Sequence, residues 1–171
     1  MKIRTSQTGT TLVEALITVT IFTMLLSTAV AILLTSTESW DMNSVRAELM
    51  QEQRKAIEWM KSDLMQGGYS TITNVPADGA SYTTITFRTS NGIGSGAISW
   101  SSSTIQFVLS GTNLQRVSSS TKVIALDISS LNFTRQSSTP SVVEVSLTAQ
   151  KTTLRGRSVS ISSSFKVDMR N

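Results

Sequence analysis

The sequence predicts an α+β chain: one long N-terminal helix, with a transmembrane first half and an amphipathic second half, packed on a C-terminal antiparallel β domain. Three observations carry this prediction. Residues 12–34 form an almost wholly apolar run. No Gly or Pro interrupts residues 10–66. From Ser70 onward the apolar period changes from the helical one to a period of two.

Composition bounds the rest. The chain has 171 residues, enough for one ordinary domain and an appended element. Charged residues make up 15%, against about 25% in an average soluble domain. Ser (29) and Thr (24) fill the gap. The chain contains no Cys and no His. That excludes thiol nucleophiles, disulfides, Cys/His zinc sites and His-based acid–base catalysis. The formal charge is +4, yet Lys2 and Arg4 sit at the extreme N-terminus and no dense Lys/Arg run follows. Nucleic acid is therefore not an expected partner.

Residues 1–9 are basic and carry no acid. The apolar run that follows is about 23 residues long, and about 20 helical residues cross a hydrocarbon layer of about 30 Å. Positive charge ahead of the run keeps the N-terminus cytoplasmic and sends the remainder outward. A buried core helix and a cleaved secretory signal are the alternatives. Ala29-Val30-Ala31 has the small-residue pattern of a signal cleavage site, but Ile32, Leu33 and Leu34 continue the apolar run past it.

Glu14 is out of place in this run, because a carboxylate in the bilayer is costly and usually marks function. The plain alternative is that it rests at headgroup level. Gly9 lies just ahead of Thr10-Thr11-Leu12-Val13-Glu14. A cut after Gly9 makes Glu14 the fifth residue and creates an α-amine at Thr10, one helical turn away. An amine and a carboxylate so placed neutralise each other, within one chain or between neighbours.

The stretch Gly9-Thr10-Thr11-Leu12-Val13-Glu14-Ala15-Leu16-Ile17, behind a short basic leader, resembles the prepilin processing motif of type IV pilins and type II secretion pseudopilins. The resemblance implies a leader at 1–9, Gly9 as the residue before the cut, and Thr10 as the N-methylated mature terminus. It also implies Glu14 as the assembly glutamate that pairs with an N-terminal amine. The implied partners are a prepilin peptidase, other minor and major pilins or pseudopilins through the N-terminal helix, an inner-membrane assembly platform and membrane lipid. The family usually carries Phe, or another apolar residue, at the first mature position, where this chain has Thr10, a departure that bears on the rate of processing. Major pilins often carry a Pro midway along the apolar segment, and this chain has none there, so no melted stretch is expected.

Beyond the membrane segment (10–34), residues 35–68 read as an amphipathic stalk. Met42, Val45, Leu49, Ala56, Met60 and Leu64 form one stripe. Arg46, Glu48, Glu52, Lys55, Glu58 and Lys61 occupy the other face, with Glu52/Lys55 and Glu58/Lys61 as i, i+3 pairs. Packing on the chain's own sheet is the expected use of the stripe. The helix should stop at Gly67-Gly68, which suit a left-handed cap. Residues 57–69, closing with Gly67-Gly68-Tyr69, are similar to the stalk end of PilW-type minor pilins and J-type minor pseudopilins.

Residues 69–171 alternate. Ile85 and Phe87, then Ile105, Phe107 and Leu109, then Val143, Val145 and Leu147 share faces. Val159, Ile161, Phe165, Val167 and Met169 give the cleanest pattern, against Ser160, Ser162, Ser164 and Lys166. This reads as a half-buried antiparallel sheet with Ser and Thr on its open side. Loops are expected at 74–81, 90–97 and 136–141, where Gly, Pro, Asn and Ser cluster. The order Leu131-Asn132-Phe133, Val143-Glu144-Val145 and terminal Arg170-Asn171 again resembles the PilW/J group.

No catalytic constellation appears, and neither an enzyme activity nor a cofactor is expected. Asp78, Asp127, Glu144 and Asp168 are too dispersed for a carboxylate pair or a calcium site. Gly92-Ile93-Gly94-Ser95-Gly96 lacks phosphate-loop context and reads as a loop. Asn132-Phe133-Thr134 matches a glycosylation acceptor by chance. Arg155, Arg157 and Lys151 read as a solvated hairpin. Taken with the resemblance, the chain reads as a minor pilin or pseudopilin that helps initiate or cap a pilus or pseudopilus. It would sit in a bacterial inner membrane as a single-pass protein, C-terminal domain periplasmic, until assembled. The rival reading is a signal-anchored extracytoplasmic binding or adhesion domain that does not polymerise.

Overall fold

A computed structural model describes residues 11–94 and 96–170. It shows the expected α+β layout. Helix α1 (Leu12–Gln66) runs unbroken for 55 residues. At its start the Thr11 hydroxyl accepts the Glu14 backbone N–H at 3.3 Å. The Thr11 carbonyl accepts the Ala15 N–H at 3.1 Å. Thr11 is thus the N-cap and Glu14 stands in the first turn, where a carboxylate complements the helix dipole.

The chain divides into two compact units between Asp41 and Met42. The described residues of the first are helical from Leu12 onward, and residues 11–37 are exposed throughout. It is long and apolar enough to cross a membrane.

In the second unit α1 buries Leu49, Gln53, Ala56, Met60 and Leu64, a row spaced by three and four residues. The described residues of this unit also form eight strands: β1 (Ser81–Tyr82), β2 (Ile85–Gly94), β3 (Ala97–Ser110), β4 (Asn113–Val117), β5 (Thr121–Ala125), β6 (Ile128–Gln136), β7 (Thr139–Thr152) and β8 (Ser158–Asp168). Two sheets form rather than the single one expected, ordered β1-β6-β7-β8 and β2-β3-β4-β5, with all neighbours antiparallel. The core gathers Phe87, Phe107, Phe133, Leu114, Ile128 and Leu147 from both sheets under the α1 row. Phe87 and Phe107 meet with ring centroids 6.1 Å apart, tilted by 34°. Each such burial is worth roughly 1.5–3 kcal/mol.

Two of the three loop expectations are corrected. Residues 74–81 remain largely a loop, but most of 90–97 is strand: Ile93 pairs with Ile98 and Gly92 with Ser99. Small residues lower strand preference, and cross-strand pairing overrides that. The 136–141 stretch shrinks to a two-residue turn, because β6 ends at Gln136 and β7 begins at Thr139.

Gly67 and Gly68 do end the helix, but not through a left-handed cap. Neither is among the glycines with positive φ, and Gly68 is extended, with φ −90° and ψ 126°. Instead the pair stitches the sheets together. Gly67 bridges Thr89 within β2, and Gly68 bridges Arg170 beyond β8. The Gly68 N–H donates to the Arg88 carbonyl, and the Arg170 N–H donates to the Gly67 carbonyl. Glycine is needed for close approach. A Cβ at Gly67 would lie 2.5 Å from the Phe87 ring, and one at Gly68 would lie 2.5 Å from the Trp100 ring.

Candidate functional site

The candidate site lies on the bare first half of α1. Between Leu12 and Leu34 the run holds six polar side chains: Glu14, Thr18, Thr20, Thr23, Ser27 and Thr28. Every hydroxyl among them bonds back to its own helix. Thr18 donates to the Glu14 carbonyl at 2.7 Å, and Thr20 to the Leu16 carbonyl at 2.7 Å. Thr23 reaches the Thr20 carbonyl, Ser27 the Met24 carbonyl, and Thr28 the Met24 and Leu25 carbonyls, all at 2.8–2.9 Å. An unsatisfied polar group in hydrocarbon costs several kcal/mol, and these bonds remove that cost. Glu14 alone has no side-chain partner among the described residues. Leu16, Ile17, Phe22, Leu25, Leu26 and Leu33 stand out exposed around the helix.

Gly9 and Thr10 lie outside the described residues. Glu14 lies on the first turn, and its backbone is fixed by the Thr11 cap. Thr11-Leu12-Val13-Glu14 has the spacing of a capping box, a signal that the sequence reading passed over.

Among the described residues no group of three or more His, Cys, Asp or Glu gathers to hold a metal. The glycine run around Gly92 forms the outer end of the β2/β3 hairpin, Asn132 to Thr134 lie within β6, and Arg155 and Arg157 occupy the β7/β8 turn. The helix-face pair Glu52/Lys55 forms at 2.7 Å, whereas Glu58 and Lys61 make no ion pair with each other among the described residues.

Polar groups of the second unit fix the helix to the sheets. Gln53 sits in the apolar row and donates to the Ile161 carbonyl on β8 at 2.6 Å. Asp63 holds Arg116 of β4 at 2.6 Å, and Lys151 of β7 reaches Glu48 at 2.5 Å. Lys122 of β5 stands 4.1 Å from the centre of the Trp59 ring. Arg135 is buried and grips carbonyls alone: Val75 at 2.7 Å, and Pro140 at 2.6 and 3.0 Å. Burial pushes its guanidinium below its ordinary pKa, against an opposing electrostatic effect from Tyr69. The polar residue in the Leu49–Leu64 row was a readable signal for Gln53. No local pattern pointed to Arg135.

Elsewhere, burial pushes the Glu52 carboxyl up, but a Lys55 hydrogen bond, the Leu126 N–H and the nearby charges of Lys55 and Lys151 outweigh it, so the net shift is downward. The Tyr82 hydroxyl donates to Asp78 at 2.6 Å, and with the Ala80 N–H it lowers the Asp78 carboxyl. These contacts anchor loops to the domain. No family model matches the chain, and no curated protein matches it.

Proposed function

We propose that the chain is a minor pilin or pseudopilin, a structural subunit that helps initiate or cap a type IV pilus or type II secretion pseudopilus. The observation that carries the reading is the solitary state of Glu14. It is the one polar side chain of the apolar run not bonded within its own helix. Every other feature of the segment is prepared for an apolar surrounding, so Glu14 calls for a partner from outside the helix. A buried charge that loses its partner costs about 3–5 kcal/mol, which makes the partner a condition of burial.

The Gly9-Thr10 motif supplies that partner. Cleavage after Gly9 leaves an α-amine at Thr10. When the processed helix leaves the bilayer for a bundle of like helices, Glu14 binds a neighbour's amine. The helix stays in an apolar setting throughout, so its transfer changes few hydrophobic contacts and the ion pair selects the register. Before assembly the chain is a single-pass inner-membrane protein, N-terminus cytoplasmic and β domain outside.

Glu14→Ala tests the role. The variant should still be cut by a prepilin peptidase and still insert, yet fail to enter filaments. Incorporation at the wild-type level would refute the role of Glu14. An uncut leader together with indifference to Glu14 would instead favour a signal-anchored binding domain.

A further inference from the structure

Trp40 is 76% exposed on α1, within the first unit. The helix carries no charged residue from Ala15 to Thr37. Glu14 closes that stretch at one end, and Glu38, Trp40 and Asp41 close it at the other. An exposed indole has a large apolar body and one N–H donor, the amphipathic form that settles at a membrane–water interface.

The spacing makes this quantitative. Trp40 and Glu14 each lie 13 residues from Ser27. At about 1.5 Å per residue that is about 20 Å to either side. The half-thickness of a bilayer is about 15 Å for hydrocarbon and about 20–22 Å with headgroups. A helix centred on Ser27 therefore places Trp40 in one headgroup layer and Glu14 in the other. Hydrophobicity alone centres the run Leu12–Leu34 on Thr23, which leaves Glu14 about 14 Å from the midplane, at the hydrocarbon edge. The difference is about four residues, or about 6 Å.

We propose that Trp40 is a membrane-interface anchor whose occupant is the outer lipid headgroup layer, and that it sets the depth of the helix so that Glu14 rests among the opposite headgroups. The inference rests on the membrane-spanning reading above and adds to it a depth-setting residue. In this register Glu14 stays hydrated while the subunit waits in the bilayer. It meets a dry environment only on assembly, so the demand for its partner arises at that step.

The test uses the full chain in vesicles of phosphatidylcholine and phosphatidylglycerol. The Trp40 emission is the difference between wild type and Trp40→Phe, which leaves Trp59 and Trp100 in place. Lipids brominated near the headgroup should quench it about twofold more than lipids brominated near the chain ends, and aqueous iodide should have little effect. A nitroxide at Ala15→Cys, unique because the chain has no Cys, should report headgroup depth. Adding Trp40→Ala should move it toward the hydrocarbon by up to about 6 Å. Flotation with the vesicles while iodide quenches Trp40 and bromolipids do not would overturn the anchor alone. An unchanged nitroxide depth in Trp40→Ala would overturn the depth-setting role. Failure to float would overturn the membrane reading and the anchor with it.

Discussion

Gly67→Ala places one methyl group where the two sheets are joined. The new Cβ would stand 2.5 and 2.8 Å from carbons of the Phe87 ring and 2.7 Å from the Met169 methyl. Carbon atoms prefer about 3.5–4.0 Å, so the overlap is about 1 Å. The Met169 methyl ends a flexible side chain and can retreat. Phe87 is fully buried and backed by Phe107, and it has nowhere to go. The steric cost therefore falls at the upper end of the overpacking range, about 3 kcal/mol. Replacing Gly by Ala also restricts the unfolded chain, which returns about 0.4–1 kcal/mol. The net loss is about 2 kcal/mol, or roughly 4–8 °C in Tm. Thermal unfolding of the full chain in detergent, followed by circular dichroism, reads this directly. Gly94→Ala is the control: its only near neighbour is the Ser99 Cβ at 3.9 Å, and its φ is not positive. It should unfold within about 0.5 kcal/mol of wild type, as surface substitutions do. Equal Tm values for the two variants would refute the close-approach argument.

Three further outcomes follow from polar groups of the second unit. Gln53→Leu keeps the apolar row but leaves the Ile161 carbonyl unmet, and urea unfolding should show a loss of about 1–3 kcal/mol. Arg135→Met frees the Val75 and Pro140 carbonyls in a buried place and should cost about 3 kcal/mol by the same measurement, with Arg135→Lys restoring only part because an ammonium cannot reproduce the guanidinium fork. Glu52 is depressed below its ordinary value of 4.5 in the folded chain, so its contribution is present above about pH 4.5 and is lost as pH falls through the lower folded value. Glu52→Gln should therefore flatten the fall in stability below pH 4.5, and an unchanged slope in an acid titration of Tm would contradict this.

Much of the fold was legible because it rests on periodicity. The absence of Gly and Pro from Thr10 to Gln66 and the row Leu49, Ala56, Met60, Leu64 read directly as the helix and its buried face. The alternation from Val159 to Val167 reappears residue by residue in the burial of β8. What could not be read depends on contacts distant in sequence. The Gly67-Gly68 pair marks the helix end correctly, but its reason, the rings of Phe87 and Trp100, appears only when the sheets are in place. The split into two sheets follows from which strands pair, and alternation is silent on pairing. Ser, Gly and Asn at 90–97 look like a loop because local preference ignores the opposite strand. In the candidate site, Glu14 stood out as the charge in an apolar run. That all five neighbouring hydroxyls are satisfied within the helix required the coordinates.

The central claim is that this helix is made to be processed and then bundled. Mass spectrometry of the membrane-extracted protein, with and without a co-expressed prepilin peptidase, tests it most directly. The account predicts a peptidase-dependent peptide beginning at N-methylated Thr10. An intact Met1 leader in the presence of active peptidase, or a chain beginning at Ile32, would contradict it.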